Sequence, residues 1–492
     1  MPFMPTRRFR PNGATILRKT RISLKANSEW GMPASVPLAL VLGLHLLVLP
    51  QVFVAVPLRA DSDTAVMLDA IRASDGLSGA WRWFVGDWFL ENGFYRPITC
   101  LSLVLDYTLY GEQAWGYRLT NWLLMVVTAL GLMLAVRAFA RQMGFPFADA
   151  LASLSALMFS LQQTGLTTLF KGWSDWWFVV GLLFIVLMTH FAPHLTSPVH
   201  GGGTRTPSPR AGRAGVGVED TQKLWCKGFL TKAWLWRLAL TAGAMLWGFH
   251  RLMGTEYERL IGWVPSRTAL LMTALSIWSL YYLLMGLQQR RWGYLLLAVL
   301  LYLLALGAYE QAMTLLPLLL GLIFWQRGTS GRMGWIASVG VLGAAALMVG
   351  LRLMLIPLEL SRYQHQQLRS SLAGPLWDYF SELIPPVRDW RYWQVALPEP
   401  SLWLFKEPWD HLVMLLAYAG VLVAFYRQWR LFGSLLLWQA ITFLPMTFLH
   451  PFEHYHYLPQ LGKTTLDVAL LLTAITIITA RERSTAPPLI DA

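Results

Sequence analysis

The sequence predicts an all-α membrane protein that crosses the bilayer about twelve times. Hydrophobic residues make up 55% of the 492 residues and charged residues only 14%, whereas soluble domains carry about 25% charged residues. Apolar runs that approach or exceed the length needed to cross a hydrocarbon core of ~30 Å recur along the whole chain. Lys and Arg collect in alternate loops between these runs, as they do in loops that face the cytoplasm.

Taken in order, the apolar runs give the boundaries of the predicted spans. The first is long enough to cross with a tilt, and the runs at Phe147 and Ala312 are short. The predicted spans are 34–56, 117–136, 147–161, 176–191, 235–252, 268–287, 294–308, 312–325, 335–356, 412–426, 431–449 and 465–480.

Loop charge predicts the orientation of the chain. Basic residues fill the segment 1–33, the Gly-, Pro- and Arg-rich linker 197–232 and the tail 481–492, so both termini are expected in the cytoplasm. The loops 57–116, 357–411 and 450–463 then face outward. The net charge of +13 lies in short loops between spans, so no nucleic-acid partner is expected. No cleavable signal peptide is evident, and the first span is expected to remain as an anchor.

The first outer loop, 57–116, holds the densest group of acidic residues. Asp61 and Asp63 follow the first span directly, where a carboxylate can stay ionised beside a membrane-borne substrate. Apolar residues at helical spacing predict an amphipathic surface helix over 64–73, and a second helix begins at Pro97. Two aspartates at this position also suit a simple helix cap.

Several stretches of sequence resemble motifs of the GT-C superfamily of membrane glycosyltransferases, within it the transmembrane O-mannosyltransferase group. Residues 95–99 (YRPIT), 105–107 (LDY) and 116–121 (GYRLTN) resemble the "YRPLT…LDY…GYHLTN" run that ends the family's first outer loop. Residues 309–318 resemble its "KEQAxTLPLLL" element, and 453–459 (EHYHYLP) resemble its "ERYLYLP" element. Its "GRADLL" run has two candidates, 172–175 (GWSD) and 266–271 (SRTALL), of which the second fits the spacing to Glu310 better. The chain differs from the family by the split acidic pair Asp61-Ser62-Asp63, by Tyr309 for lysine and by His454 for arginine. The tetratricopeptide repeats that many members carry are not found in it.

The resemblance implies transfer of a sugar, mannose-like, from a polyprenyl-phosphate donor to an acceptor hydroxyl outside the cytoplasm, with inversion. Asp61 or Asp63 would then act as the base, since inversion needs one carboxylate to take the acceptor proton. Cations or hydrogen-bond donors would stabilise the leaving phosphate. The candidates for that role are Arg96, Arg267, Arg352, His454 and His456, and Glu310, Asp106 and Tyr455 are the candidates for substrate binding.

Structural explanations compete with each of these roles. Arg96 could pair with a loop acid, Arg267 could anchor the start of its span, and Arg352 could extend to the headgroups. Asp61-Ser62-Asp63 could hold Mg²⁺ or Mn²⁺ through carboxylate oxygens. The spacing of the histidines around His454 suits no standard zinc pattern. Two other functions also fit the sequence, a transporter of polyprenyl-linked glycans and a catalytically degenerate scaffold.

Overall fold

The computed structural model describes residues 35–54, 57–60, 62–164, 259–326, 331–368, 426, 428–449 and 453–484. These ranges fold into α-helices and short 3-10 helices, and the only β-pairing among them is an isolated bridge between Leu368 and Leu449. The all-α prediction is confirmed for this part of the chain.

Twelve α-helices of six residues or more lie within the described ranges. All of them except α2, α3 and α10 coincide with predicted spans. They are α1 Ser35–Val48, α2 Ser62–Ala73, α3 Pro97–Tyr110, α4 Ala114–Gln142, α5 Ala148–Gln163, α6 Arg267–Gln289, α7 Trp292–Ala308, α8 Leu315–Trp325, α9 Arg332–Leu355, α10 Arg362–Gln367, α11 Trp429–Phe443 and α12 Tyr457–Ser484. The predicted spans 176–191 and 235–252, and 412–426 except its last residue, lie outside the described residues.

Four segments of the described chain are long and apolar enough to cross a membrane. They are Ala114–Gln142, Val264–Gln289, Arg332–Leu355 and Trp429–Phe448, and three shorter apolar helices accompany them. These helices support a multi-helix membrane protein. The count of twelve crossings stays a prediction.

The helices α4 and α6 run parallel, which defines two ends of the bundle. Near the start of both helices, Arg267 donates to the carbonyl of Tyr117; near the end of both, Gln288 donates to Gln142. We call the first end the site end and the second the basic end. Because α5 returns to the site end and α6 starts there, the segment between them begins and finishes at the same end. The alternation of inner and outer loops that loop charge predicts also requires α5 to end and α6 to begin on the same side of the membrane.

The first loop builds its own small core at the site end. Met67, Leu68 and Ile71 of α2 pack with residues of α3 and the turn between them, including Trp88 and Leu103. The amphipathic helix predicted over 64–73 is confirmed as α2. Its Met67, Leu68 and Ile71 face is buried in this core, whereas Val66 is 50% exposed. The helix predicted to begin at Pro97 is confirmed as α3.

Candidate functional site

Most of the predicted site residues lie at the site end of the bundle. Asp63 is in the first turn of α2, Arg96 directly precedes α3, and Glu310 begins the turn after α7. His454 and Tyr455 lie in the turn before α12. Asp61 lies outside the described residues.

A buried arginine paired with a half-exposed carboxylate forms the centre of this region. The Nε atom of Arg96 donates to Glu310, at 3.0 Å from Oε2 and 3.3 Å from Oε1. The Arg96 side chain is 8% exposed, whereas that of Glu310 is 38% exposed. Burying a charge is costly unless it is paired, so Glu310 both stabilises Arg96 and keeps one face towards solvent.

Three aromatic rings surround the Arg96 guanidinium. Its central carbon lies 4.2 Å from the ring centre of Phe94, 4.4 Å from that of Trp88 and 4.5 Å from that of Tyr309. Cation–π contacts of this kind stabilise a desolvated cation. Within the described residues the hydrogen bonds of Arg96 use only Nε, so Nη1 and Nη2 remain as donors for a ligand. We call Arg96 and these three rings the arginine cage.

The carboxylate of Asp87 shapes the loop that carries two of the cage rings. It accepts hydrogen bonds from the backbone N–H groups of Trp88, Gly93 and Phe94 at 2.8, 2.6 and 2.9 Å. Gly93 adopts a φ of +90°, which allows the tight return of the chain. The sequence prediction did not include Asp87. An aspartate six residues before a glycine in an aromatic-rich loop is the signal that could have identified it.

The end of α9 and the short helix α10 hold this loop from outside. Arg352 donates to the carbonyls of Ile356 and Gly93, each at 3.1 Å, and Gln364 donates to the same Gly93 carbonyl at 3.0 Å. Ser361 donates to the carbonyl of Asn92 at 2.7 Å. Arg352, predicted to bind phosphate, therefore caps the end of its own helix and anchors the loop.

Arg267 was predicted to bind the donor phosphate and Asp106 to bind substrate, and the structure pairs the two side chains inside the bundle. The Arg267 side chain is fully buried, and its nitrogens donate to Asp106 Oδ2 at 2.6 Å, Asn121 Oδ1 at 2.6 Å, Ser102 at 2.9 Å and the Tyr117 carbonyl at 3.0 Å. Thr120 donates to the other Asp106 oxygen. This network locks α3, α4 and the start of α6 together. With four donors occupied and no exposed surface, Arg267 is not placed to contact a phosphate.

His454 forms a wall beside the arginine cage. Its ring centre lies 4.5 Å from that of Tyr455, 5.3 Å from that of Trp263 and 6.4 Å from that of Tyr309. Burial, reinforced by the charges of Arg96 and His456, lowers the pKa of His454 to about 3. At neutral pH the imidazole is therefore uncharged, so it can offer a phosphate a hydrogen bond but no positive charge.

Tyr455 and His456 are held by packing. Gln311 donates to the Tyr455 carbonyl at 2.9 Å, and the His456 ring lies 4.9 Å from that of Phe443. Burial raises the pKa of Tyr455 to about 12, and it raises that of Tyr309 well above the usual value. Both phenols therefore keep their proton and can donate it in a hydrogen bond.

Tyr363 connects Asp63 to the arginine cage. Its ring stands edge-on to Phe94 at 6.3 Å. Burial raises the pKa of Tyr363, while Arg96 opposes and Asp63 reinforces the rise, so both charges act on the same phenol. The half-exposed Asp63 thus belongs to the same electrostatic neighbourhood as Arg96.

Among the described residues, no group of three or more His, Cys, Asp or Glu side chains is arranged to hold a metal ion. Asp61 is not one of these residues, so a Mg²⁺ or Mn²⁺ site at Asp61-Ser62-Asp63 stays a prediction. Comparison of the chain with protein family models, curated proteins and solved structures found no match.

Proposed function

We propose that the protein is a glycosyltransferase that takes a mannose-like sugar from a polyprenyl-phosphate donor and transfers it to an acceptor hydroxyl on the extracytoplasmic face. The observation that carries this proposal is the arginine cage beside Glu310. Arg96 is a buried cation whose two terminal nitrogens bond to no other described residue, which suits a phosphate oxygen, and the apolar helices suit the polyprenyl chain. The resemblance of the surrounding motifs to the GT-C superfamily supports the same conclusion.

The reaction needs one proton acceptor and one anion stabiliser. The acceptor oxygen attacks the anomeric carbon, and its proton passes to the carboxylate of Asp63 or Asp61. The new C–O bond forms as the bond between the anomeric carbon and the phosphate oxygen breaks. The polyprenyl phosphate leaves with that electron pair, and Arg96 Nη groups stabilise the negative charge that builds on it. The phosphate is a weak base, so no general acid is required.

Glu310, Tyr455 and His454 would position the sugar. The free face of the Glu310 carboxylate can accept hydrogen bonds from sugar hydroxyls while its other face holds Arg96. Tyr455 and neutral His454 can donate or accept at the same surface. The aromatic rings of the cage offer flat apolar faces of the kind that pack against a sugar ring.

Transport of a polyprenyl-linked glycan is the second candidate, because α12 contains polar groups at depth. In this helix the buried Asp467 follows Lys463 by four residues. Two neighbouring side chains, those of Gln460 and Thr464, hydrogen-bond to Gln162 of α5. Asp467 lies about 15 Å along the helix from Tyr457. The sequence predicts chemistry in the outer loops, whereas ionisable residues within a bundle are typical of transport paths.

Release of labelled sugar tests the first proposal. Purified protein in nanodiscs is incubated with polyprenyl-phosphate [¹⁴C]mannose, and water serves as acceptor where no other is supplied. We expect wild type to release sugar, Arg96→Lys and Glu310→Gln to lose most of the activity, and the double variant Asp61→Asn/Asp63→Asn to lose all of it. Asp69→Asn is the matched control, because Asp69 lies on α2 with a 62% exposed side chain.

Full sugar release by the double aspartate variant would exclude the proposed base. A parallel assay in sealed vesicles separates the second candidate, since a transporter moves the intact lipid-linked sugar between leaflets and releases none.

A further inference from the structure

A cleft at the basic end of the bundle lies far from the arginine cage. It has a volume of about 680 Å³ and opens between the C-terminal ends of α4, α6 and α8. Three arginines are among the residues that line it, Arg137, Arg141 and Arg290. No part of the proposed transfer reaction uses this end.

In the part of the chain that the structure describes, arginines outnumber carboxylates around the cleft. Arg137 and Arg141 both bond to Asp149, with Arg141 Nη2 at 2.9 Å from Oδ1 and 3.0 Å from Oδ2. Among the described residues, Asp149 is the carboxylate paired with these arginines. The Arg141 side chain is 58% exposed, so its remaining N–H groups can reach a ligand.

The polypeptide at Arg290 adopts a conformation unusual for its residue type. Arg290 has a φ of +55° at the end of α6, where glycine is the usual residue. A non-glycine residue in this region costs of order 1 kcal/mol, and such residues concentrate at functional sites. The strained turn places a third guanidinium at the rim of the cleft.

The rest of the lining combines neutral donors with an apolar wall. Gln288 and Gln326 both donate to Gln142, at 3.2 and 3.0 Å, which fixes the floor of the cleft. Leu134, Ala138 and Met285 form the apolar side. Basic pockets between helices on the cytoplasmic side of a membrane are suited to anionic lipid headgroups, and acyl chains would follow the apolar wall.

We propose that this cleft binds a phosphate group through Arg141 and Arg290, and that the group is presented by an anionic phospholipid. A soluble phosphate compound shares the same recognition chemistry, so the test separates the two sources. The site is independent of the transferase reaction and would persist if that proposal failed.

Native mass spectrometry of the full-length protein tests the proposal by titration with phosphatidylglycerol or phosphatidylcholine. We expect the first phosphatidylglycerol to bind more tightly than phosphatidylcholine. Arg141→Gln and Arg290→Gln should each weaken that binding about fivefold, as for one basic residue at an anionic surface. Arg291→Gln is the matched control, because this exposed neighbour lies outside the cleft lining.

Competition with inorganic phosphate assigns the source. Displacement of phosphatidylglycerol by millimolar phosphate supports a site for a soluble phosphate compound, and retention of the lipid supports a headgroup site. The arginines could instead serve only to neutralise the negative ends of the three helices. In that case Arg141→Gln and Arg290→Gln would lower the melting temperature and leave the binding of both lipid and phosphate unchanged, and the proposal would be overturned.

Discussion

The Arg96 side chain has a structural role in pairing with Glu310 and, in the proposed reaction, a chemical role in binding a phosphate. Its charge is buried among three rings, and its pairing with Glu310 uses Nε, while Nη1 and Nη2 bond to no other residue in the part of the chain that the structure describes. A lysine has neither the planar fork nor a group equivalent to Nε, so it cannot pair with Glu310 and donate to a phosphate in the same geometry.

Arg96→Ala should lower the free energy of unfolding by about 2 to 3 kcal/mol. This is below the usual range for breaking a buried pair, because Glu310 reaches solvent when left alone. Arg59→Ala is the matched control: it breaks exposed pairs with Asp69 and Glu112, which solvent screens, and should cost much less stability. Thermal unfolding in detergent measures both, and equal losses would contradict the buried pairing.

His454 should make the protein sensitive to acid. A histidine in an unfolded chain binds a proton near pH 6.5, whereas burial holds His454 neutral in the folded protein down to about pH 3. Between these values the unfolded state binds more protons, so stability is lost as the pH falls through this window.

The variant His454→Asn removes that contribution. Its melting temperature should fall less than that of wild type between about pH 7 and about pH 5, a range in which an ordinary histidine gains its proton. His365→Asn, which removes an exposed histidine on α10, serves as control. An identical pH slope in wild type and His454→Asn would show that burial does not act on this ring.

At the scale of elements, the loop from Asp87 to Phe94 places two of the cage rings. Asp87→Ala removes three hydrogen bonds to backbone N–H groups and should displace Trp88 and Phe94 from Arg96. A misplacement of about 1 Å can cost ~100-fold in rate, so sugar release should fall by at least about tenfold.

The Asp87→Asn variant keeps one amide oxygen as acceptor and should recover part of kcat, with a smaller change in KM. A general loss of folding would lower the amount of active protein without this recovery. Asp75→Ala, at another turn of the same loop, is the control.

The helices α4 and α6 approach closely at Gly131. A Cβ atom there would lie 2.7 Å from Ile277 Cγ2 and 2.9 Å from Trp278 Nε1. Gly131→Ala should therefore cost about 1 to 3 kcal/mol from overpacking, less the ~1 kcal/mol that alanine gains in a helix. Gly343→Ala in α9 meets no atom within 4 Å and should leave stability unchanged or raise it. Thermal unfolding of the two variants compares these effects, and equal melting temperatures would contradict close packing.

Hydrophobic length and proline position predicted most of the described elements. The α3 helix begins at Pro97 as expected, and the predicted spans fall on helices wherever the structure describes them. Side-chain roles were harder to predict, because the motifs that contain Asp106 and Arg267 look the same whether they bind a ligand or join helices. Only the three-dimensional pairing of α3, α4 and α6 distinguishes the two. The arginine cage depends on contacts over more than 200 residues, such as Arg96 with Glu310, which local patterns cannot specify.

At the scale of the whole molecule, the two proposed sites lie at opposite ends of the bundle within the described residues. Asp63, Arg96, Glu310 and His454 lie at the site end, and Arg141 and Arg290 lie at the basic end. The distribution of Lys and Arg predicts that the basic end faces the cytoplasm. The proposed transfer reaction and the proposed phosphate cleft would then act on opposite leaflets.

Cysteine labelling in intact cells tests this orientation. In a background that carries Cys226→Ser, Cys100 remains because it is fully buried. Ser62→Cys then introduces an exposed thiol at the site end, and Gln288→Cys introduces one at the basic end. A membrane-impermeant maleimide should label Ser62→Cys in intact cells, and it should label Gln288→Cys only after the cells are opened. The reverse pattern would place the arginine cage in the cytoplasm, where the donor phosphate of the proposed reaction would lie in the wrong leaflet. Labelling of both variants in opened cells controls for burial of either thiol.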